Sequence, residues 1–340
     1  MAPGGRGVGQ ARANVASDLS RLLSAFRSRK LVVLGDLVAD HYVYGQTDRV
    51  SREAPVLVVR HESSDVTLGG AANAAANARA LGASVTVVGV LGRDEMGESL
   101  RGRFAERGIR LMAVDAPVTE TKTRILAGGL NTTRQQMLRL DRGNALPLAA
   151  KVAEGVARAL EEAAQGTDAV LVSDYGGGVI GEATRAALRR LAASGLLVSV
   201  DSRYALGTLA GFRAAKPNEP ELAALTGLPV EDDAALERAA AAGLEALDAE
   251  VLLITRGRRG MAVLERGGAV QLLPAHGTRA AVDVTGAGDT VMAAFTLGLA
   301  AGASAPAAAE LANVAGALVV LKPGTAPVTA DELTAELAGR

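Results

Sequence analysis

Short apolar runs recur along the chain, and several end in a glycine or an aspartate: KLVVLGD (30–36), SVTVVGVLG (84–92), DAVLVSDY (168–175), LLVSVD (196–201) and EVLLITRG (250–257). Runs of this length without polar alternation predict strands buried on both faces, as in a parallel sheet. Between them lie Ala/Leu/Arg/Glu-rich stretches with helical spacing, at 97–107, 147–164, 181–193 and 231–247. A further helix is expected in SDLSRLLSAFRSRK, where Leu19, Leu22, Leu23 and Phe26 share a face and Ser17 or Asp18 would cap it. Strands alternating with helices indicate an α/β fold: a doubly wound, mostly parallel sheet flanked by helices. Two stretches, 41–68 and 119–142, break the alternation with short β-prone runs and no helix. They are read as one small discontinuous β-lid, with 17–40, 69–118 and 143–340 forming the α/β domain. Residues 1–16 are expected to be a disordered tail, and their glycines follow no strand.

Composition narrows this picture. Hydrophobic residues make up 49% of the 340, which permits a large core, but aromatics are only 2% and Trp is absent. Stacking of nucleic-acid bases on aromatic rings is therefore not expected. The net charge of −1 provides no field to attract nucleic acid or an anionic membrane. With no cysteine, disulfides and thiolate metal sites are excluded, a reducing compartment fits, and a cytoplasmic location is expected. No apolar run reaches the ~20 residues of a membrane span. His41, His61 and His276 are scattered without metal-ligand spacing and read as structural or surface residues.

The candidate chemistry lies near the C-terminus, in DVTGAGDT (283–290), before the apolar helix TVMAAFTLGLAAG. A glycine-rich turn opening a helix presents unpaired backbone N–H groups to an anion, and the helix dipole adds to the attraction. Asp289 at this position is either a helix-start carboxylate or a general base that takes a proton from a substrate hydroxyl during phosphoryl transfer. The stretch is not a Walker A loop, and no protein-kinase loop with Val-Ala-Ile-Lys occurs. No Gly-x-Gly-x-x-Gly follows the first strand, so a dinucleotide fold is not indicated.

DVTGAGDT resembles the C-terminal signature of the ribokinase-like (PfkB) sugar kinases, and LGGAANAAANARALGASVTVVGVLGRDEMG (68–97) is similar to their N-terminal signature. The similarity runs from about Leu31 to about Thr329. Within that family, YGQTDRVSREAPVLVV, QQMLRLD and VLVSDYGGGVI resemble the D-glycero-D-manno-heptose-7-phosphate kinases, the kinase half of the bifunctional ADP-heptose synthases. The resemblance implies a ribokinase-like fold and transfer of phosphate from ATP, with Mg2+, to the anomeric hydroxyl of the 7-phosphate. A kinase for another sugar or sugar phosphate, and a non-catalytic sensor on the same scaffold, are the competing readings. The chain ends soon after the kinase signature, so the stand-alone kinase is expected. Many ribokinase relatives have a lysine in the first signature where this chain has alanine, which sets its sugar preference apart.

Residue by residue, the resemblance makes Asp289 the base and Gly286, Ala287 and Gly288 the anion hole. Asp283 would either hold a monovalent cation such as K+ or stabilise a turn. For the sugar, Asp36 and Asp40 follow the first strand, Asp36 being preferred; Gly69, Gly70 and Asn73 would approach the substrate, with Asn77 one turn on. Arg49, Arg52, Lys122, Arg124, Arg134 and Arg139 are lid cations suited to a phosphorylated sugar, with Lys122, Arg124 and Arg139 favoured. For ATP, Lys216, Asn218 and Glu221 (KPNEPE) would lie by the phosphates, Glu221 acting on Mg2+ through water, although the same residues also read as a helix start. Asp201 would face the phosphates as well. Thr255, Arg256, Gly257 and Gly260 resemble the nucleotide loop, and Asn313 matches an adenine-pocket position. A homodimer through the lid's exposed β-face is the expected assembly.

Overall fold

The computed structural model describes residues 18–129, 133–277 and 280–339; the tail 1–16 lies outside them. The apolar runs form one nine-stranded sheet. Seven strands are parallel, in the order β5 (Arg110–Ala116), β4 (Ser84–Gly92), β1 (Lys30–Gly35), β8 (Ala169–Asp174), β9 (Leu197–Ser202), β10 (Ala214–Ala215) and β11 (Val251–Thr255). The antiparallel strands β12 (Met261–Glu265) and β13 (Gln271–Leu273) complete one edge.

Both faces of this sheet are covered, which is why its strands read as unbroken hydrophobic runs. Along β1, Leu31 and Val33 enter one core while Val32 and Leu34 enter the other. The first core is closed by α1 (18–25), α2 (Ala71–Ala80), α3 (Glu95–Glu106), α8 (Ala287–Ala300), α9 (Ala305–Val319) and α10 (Ala330–Ala338). The second is closed by α4 (Ala150–Ala163), α5 (Glu182–Ala193), α6 (Glu219–Thr226) and α7 (Asp233–Ala246). The helices expected at 97–107, 147–164, 181–193 and 231–247 are thus α3, α4, α5 and α7, each displaced by one to three residues at its start. Side chains set two of those starts. Asp94 accepts from the Gly97 amide, and Asp232 accepts from that of Ala235.

The stretches 41–68 and 119–142 hold a separate four-stranded sheet, ordered β3 (Leu57–Gly70), β2 (Leu37–Val50), β6 (Glu120–Gly128), β7 (Gln135–Arg142). β2 starts before and β3 ends after the expected 41–68, while β6 and β7 lie within 119–142. The chain passes from β1 to β2 across one residue, Asp36, and β3 runs directly into α2. The second sheet therefore stands over the carboxyl ends of the parallel strands, where open α/β folds bind ligands. Register places Asp40 opposite Lys122, which opposes Asp141; Tyr42 lies opposite Arg124, which opposes Arg139. Alternate residues share a face, so these six polar side chains lie together. Leu138 and Leu140 are on the other side, 56% and 61% exposed.

Candidate active site

The carboxyl ends of β1, β8, β9 and β10 deliver Asp36, Tyr175, Asp201 and Lys216 to one region, and the first turn of α8 brings Asp289 to it. Gly286 caps α8 with φ 74°, a conformation that glycine adopts freely. A Cβ there would also collide with the Asn73 side-chain amide. A Cβ on Gly288 would come 3.4 Å from Lys216 Nζ. The glycines thus let Asn73 and Lys216 close around the helix start. The Ala287 amide, expected in the anion hole, donates instead to the Val284 carbonyl at 3.3 Å, which leaves the Gly286 and Gly288 amides, without a backbone acceptor among the described residues, as the anion site.

Asp289 is 2% exposed. Asn73 Nδ2 donates to its Oδ2 at 2.8 Å, and Tyr175 donates its hydroxyl to Oδ1 at 3.0 Å. Asn77, singled out only weakly in the sequence, fixes this arrangement. Its amide donates to both the Asn73 backbone carbonyl and Asn73 Oδ1, while its own Oδ1 accepts from Thr290. The Asn73 oxygen is therefore taken and its N–H faces the carboxylate. Burial pushes the Asp289 carboxyl up to about 7, helped by the Asp201 charge and opposed by donors Asn73 and Tyr175 and by Lys216. A carboxylate titrating near neutrality is suited to general-base work.

Lys216 and Asp201 form a buried ion pair at 2.9 Å. Burial alone would depress the ammonium, but Asp201 outweighs it and holds Lys216 above its ordinary value. Asn218 and Glu221 form a complete capping box at the start of α6. Asn218 N donates to Glu221 Oε2 at 2.8 Å, which leaves Oε1 open, and burial raises the Glu221 carboxyl. Among the described residues no cluster of three or more His, Cys, Asp or Glu side chains is placed to hold a metal. One half-buried carboxylate with an open oxygen fits Mg2+, which is held mainly by phosphates and water.

Several sequence-designated residues have other tasks. Asp36 accepts from the backbone amides of Tyr175, Gly177 and Val179, at 2.7, 3.0 and 3.3 Å, so it anchors that loop and is not the free sugar acceptor expected. Burial and Asp174 raise its carboxyl to about 6. Asp40 lies on the polar face of the second sheet, paired with Arg124 at 2.6 Å. Gly69 and Gly70 make room for these aspartates: Cβ atoms there would strike the Asp40 carboxylate and the Asp36 carbonyl respectively. Arg139 is bidentate on Asp141, at 2.7 and 2.6 Å. Lys122 has no ion-pair partner among the described residues, and its ammonium stands 5.1 Å over the Tyr175 ring. Arg134 pairs with Glu62 at 2.7 Å and stands 5.4 Å over the Tyr44 ring, and Arg49 and Arg52 are exposed. Asp283 accepts from the amides of Thr285 (2.9 Å) and Gly324 (3.0 Å), so both its oxygens serve the turn.

In the loop expected to meet the nucleotide, Arg256 reaches Glu219 at 3.0 Å and Asp233 at 2.8 Å, so its guanidinium pins residues 255–260 to α6 and α7 and is not a free ligand. The N–H of Thr255 is held by the Pro217 carbonyl, and Asn313 donates to the Pro274 carbonyl at 2.7 Å. Gly257 and Gly260 both have positive φ and shape this loop. A cavity of about 680 Å³ opens beside it, lined among others by Arg256, Arg258, Arg259, Pro274 and Gly277 but by neither Asp289 nor Lys216. His41, His61 and His276 bond to Thr123, Ser64 and Glu336, consistent with structural roles.

Tyr175 and Arg203 were missed in the sequence. The signal for Tyr175 was present: one of only four tyrosines, at the end of a buried run and before three glycines. Arg203 follows β9, and its charge acts on Tyr175, Asp201 and Glu221 together.

A buried carboxylate at a helix start, backed by a lysine and faced by a cationic second sheet, is an arrangement suited to phosphoryl transfer, the chemistry of the small-molecule kinase class. Residues 28–332 match the model of the pfkB family carbohydrate kinases, and the chain belongs to that family of ATP-dependent enzymes. It is 42% identical over 325 residues to the bifunctional protein HldE of Caulobacter vibrioides and 39% over 323 residues to that of Desulfatibacillum aliphaticivorans. Each alignment covers 93% of this chain but only 65% and 64% of the relative. Among solved structures, Arabidopsis thaliana ribokinase complexed with ribose and ATP aligns with TM-score 0.71 and 22% identity over 91% of this chain and 98% of its own. Escherichia coli phosphofructokinase-2 in complex with potassium gives 0.73 and 19% over 92% and 98%. These two likenesses establish the ribokinase-like fold.

Proposed function

We propose that the chain transfers the γ-phosphoryl group of ATP to the anomeric hydroxyl of D-glycero-D-manno-heptose 7-phosphate, giving the 1,7-bisphosphate and ADP. The observation that carries this reading is Asp289: a buried carboxylate at the start of α8 with a pKa pushed to about 7, oriented by two donors. Asp289 takes the hydroxyl proton as the oxygen attacks the γ-phosphorus and the bond to the ADP oxygen breaks. The amides of Gly286 and Gly288 and the Lys216 ammonium face the negative charge on the transferring group. Mg2+ would neutralise phosphate charge, and Glu221, with one carboxylate oxygen open, would hold it through water. Thr255–Gly260 and the Asn313-held strand end bound the nucleoside.

The second sheet acts as the lid in this reading. Asp40 and Asn73 meet the sugar, and Lys122, Arg124 and Arg139 supply cations for its phosphate. The resemblance of the lid sequences to the heptose kinases supports the heptose. A K+ ion near Asp283, a cytoplasmic location and a homodimer formed through the apolar lid face complete the reading. Among the described residues no helix is long and apolar enough to cross a membrane.

The test is a coupled ADP assay with Mg2+ against heptose 7-phosphate anomers, fructose 6-phosphate, ribose and a keto-deoxy acid. Fastest turnover of a heptose 7-phosphate is expected. Faster turnover of another sugar would reassign the substrate, and full activity of Asp289→Asn would remove the base.

A further inference from the structure

The Asp289 carboxylate has one donor on each oxygen, and the two come from different layers of the molecule. Asn73 belongs to α2 and is locked by Asn77. Tyr175 lies in the loop after β8, where Asp36 holds its backbone amide at 2.7 Å. Over the face of the Tyr175 ring stands Lys122 of the lid strand β6, its ammonium 5.1 Å from the ring centre. Lys122 is the cation of the lid's polar face with no carboxylate partner among the described residues, because Arg124 holds Asp40 and Arg139 holds Asp141.

We infer that Tyr175 is a positioning residue that couples the lid to the base: its hydroxyl orients the Asp289 carboxylate, and its ring carries the Lys122 ammonium from the lid above. The inference rests on the reading of Asp289 as the base. A cation on a ring face draws on the π-electrons, which makes the phenol a better donor to a carboxylate. A substrate phosphate that draws Lys122 away weakens that donation, so the base gains proton affinity as the sugar phosphate seats. Nothing of this kind is expected of a tyrosine that only fills space.

Four charged or titratable groups besides the pair bear on it. Asp201 and Lys216 face Asp289 from the ends of β9 and β10. Lys122 and Arg203 face Tyr175. Helix α2 contributes only the neutral Asn73 and Asn77.

Tyr175→Phe keeps the ring and its cation contact and removes only the hydroxyl. With the sugar phosphate that wild type turns over best, kcat is expected to fall about tenfold with the sugar KM within about twofold, the loss of one hydrogen bond to a charged group. The acid limb of kcat/KM should move to higher pH, because a donor that lowers the Asp289 pKa is gone. Lys122→Met should move the limb the same way by less, and should add no further shift in the Tyr175→Phe background. A Tyr175→Phe limb that superimposes on wild type overturns the inference. A second readout needs no turnover: Tyr175→Phe should lose more melting temperature relative to wild type at pH 8, where Asp289 is ionised, than at pH 5. An equal loss at both pH values reduces Tyr175 to packing. If wild type phosphorylates no sugar, the proposed function fails and the melting comparison still decides the role of Tyr175.

Discussion

Asp289 carries two opposing demands: burial disfavours its charge, and the proposed general-base role requires it. Its pKa in the folded chain, about 7, lies above the ordinary 3.8. The stability contributed by the protonated form is therefore complete below about pH 4 and is lost as pH rises through about 7. Asp289→Asn cannot ionise, so its melting temperature relative to wild type should rise between pH 5 and pH 8. Its kcat should fall by about 10²–10⁴, the range for a lost general base, and wild-type kcat/KM should rise through an acid limb near pH 7. A pH–rate profile and a pH series of thermal melts check both. Lys216→Met leaves Asp201 buried without its partner and is expected to cost on the order of 3–5 kcal/mol in urea denaturation. At this scale the sequence was legible where a motif brings side chains together, as for Asp289, Asn73 and Lys216 around the start of α8. It misled at Asp36 and Arg256, because a charge at a strand end reads the same whether it meets a ligand or ties down a neighbouring loop. Only the three amides on Asp36 and the two acids on Arg256 tell these apart.

Helix α8 illustrates what an element adds. It is apolar nearly all round and buried between α2, α9 and the sheet, so its first turn is a rigid platform. Gly286→Ala would place a Cβ in the left-handed region and against Asn73. A loss of about 1–2 kcal/mol for the backbone conformation is expected, together with a fall in kcat as Asn73 is displaced from Asp289. Chemical denaturation and steady-state assays read the two separately. Periodicity located α3, α4, α5 and α7 because their polar and apolar faces alternate with the helical repeat. It gave no expectation for β10, two residues long, or for the antiparallel β12–β13 pair. A two-residue strand has no period to detect, and its pairing is imposed by β9 and β11 on either side. The lid strands were visible as β-prone runs, but the outer bounds of β2 and β3 were not. The first residues of β2, Leu37–Asp40, are as buried as the strand before them, so composition does not change where one sheet becomes the other.

In the whole molecule, two cores share one sheet, and the second sheet adds a solvent-facing apolar side. Leu138 and Leu140 expose large side chains on it, beside half-buried Val43 and Ile125. An exposed β-face of this kind invites a partner. Leu138→Asp with Leu140→Asp should convert a dimer to a monomer by light scattering after gel filtration, while thermal stability of the main fold stays near wild type. A wild-type monomer would remove the assembly from the proposal. Such pairing is only half legible in a sequence: alternation marks the apolar positions, but not which strand will lie beside them.

The crossing from β1 to β2 has a further consequence. With one residue between the two sheets, and that residue clamped to the 175–179 loop, the roof over the cleft is not a door on a slack tether. It is a continuous ribbon bent over a fulcrum, and any swing must be absorbed as twist in strands already hydrogen-bonded to their neighbours. Opening should then be a shallow, whole-ribbon rocking, felt at once by the loop beneath.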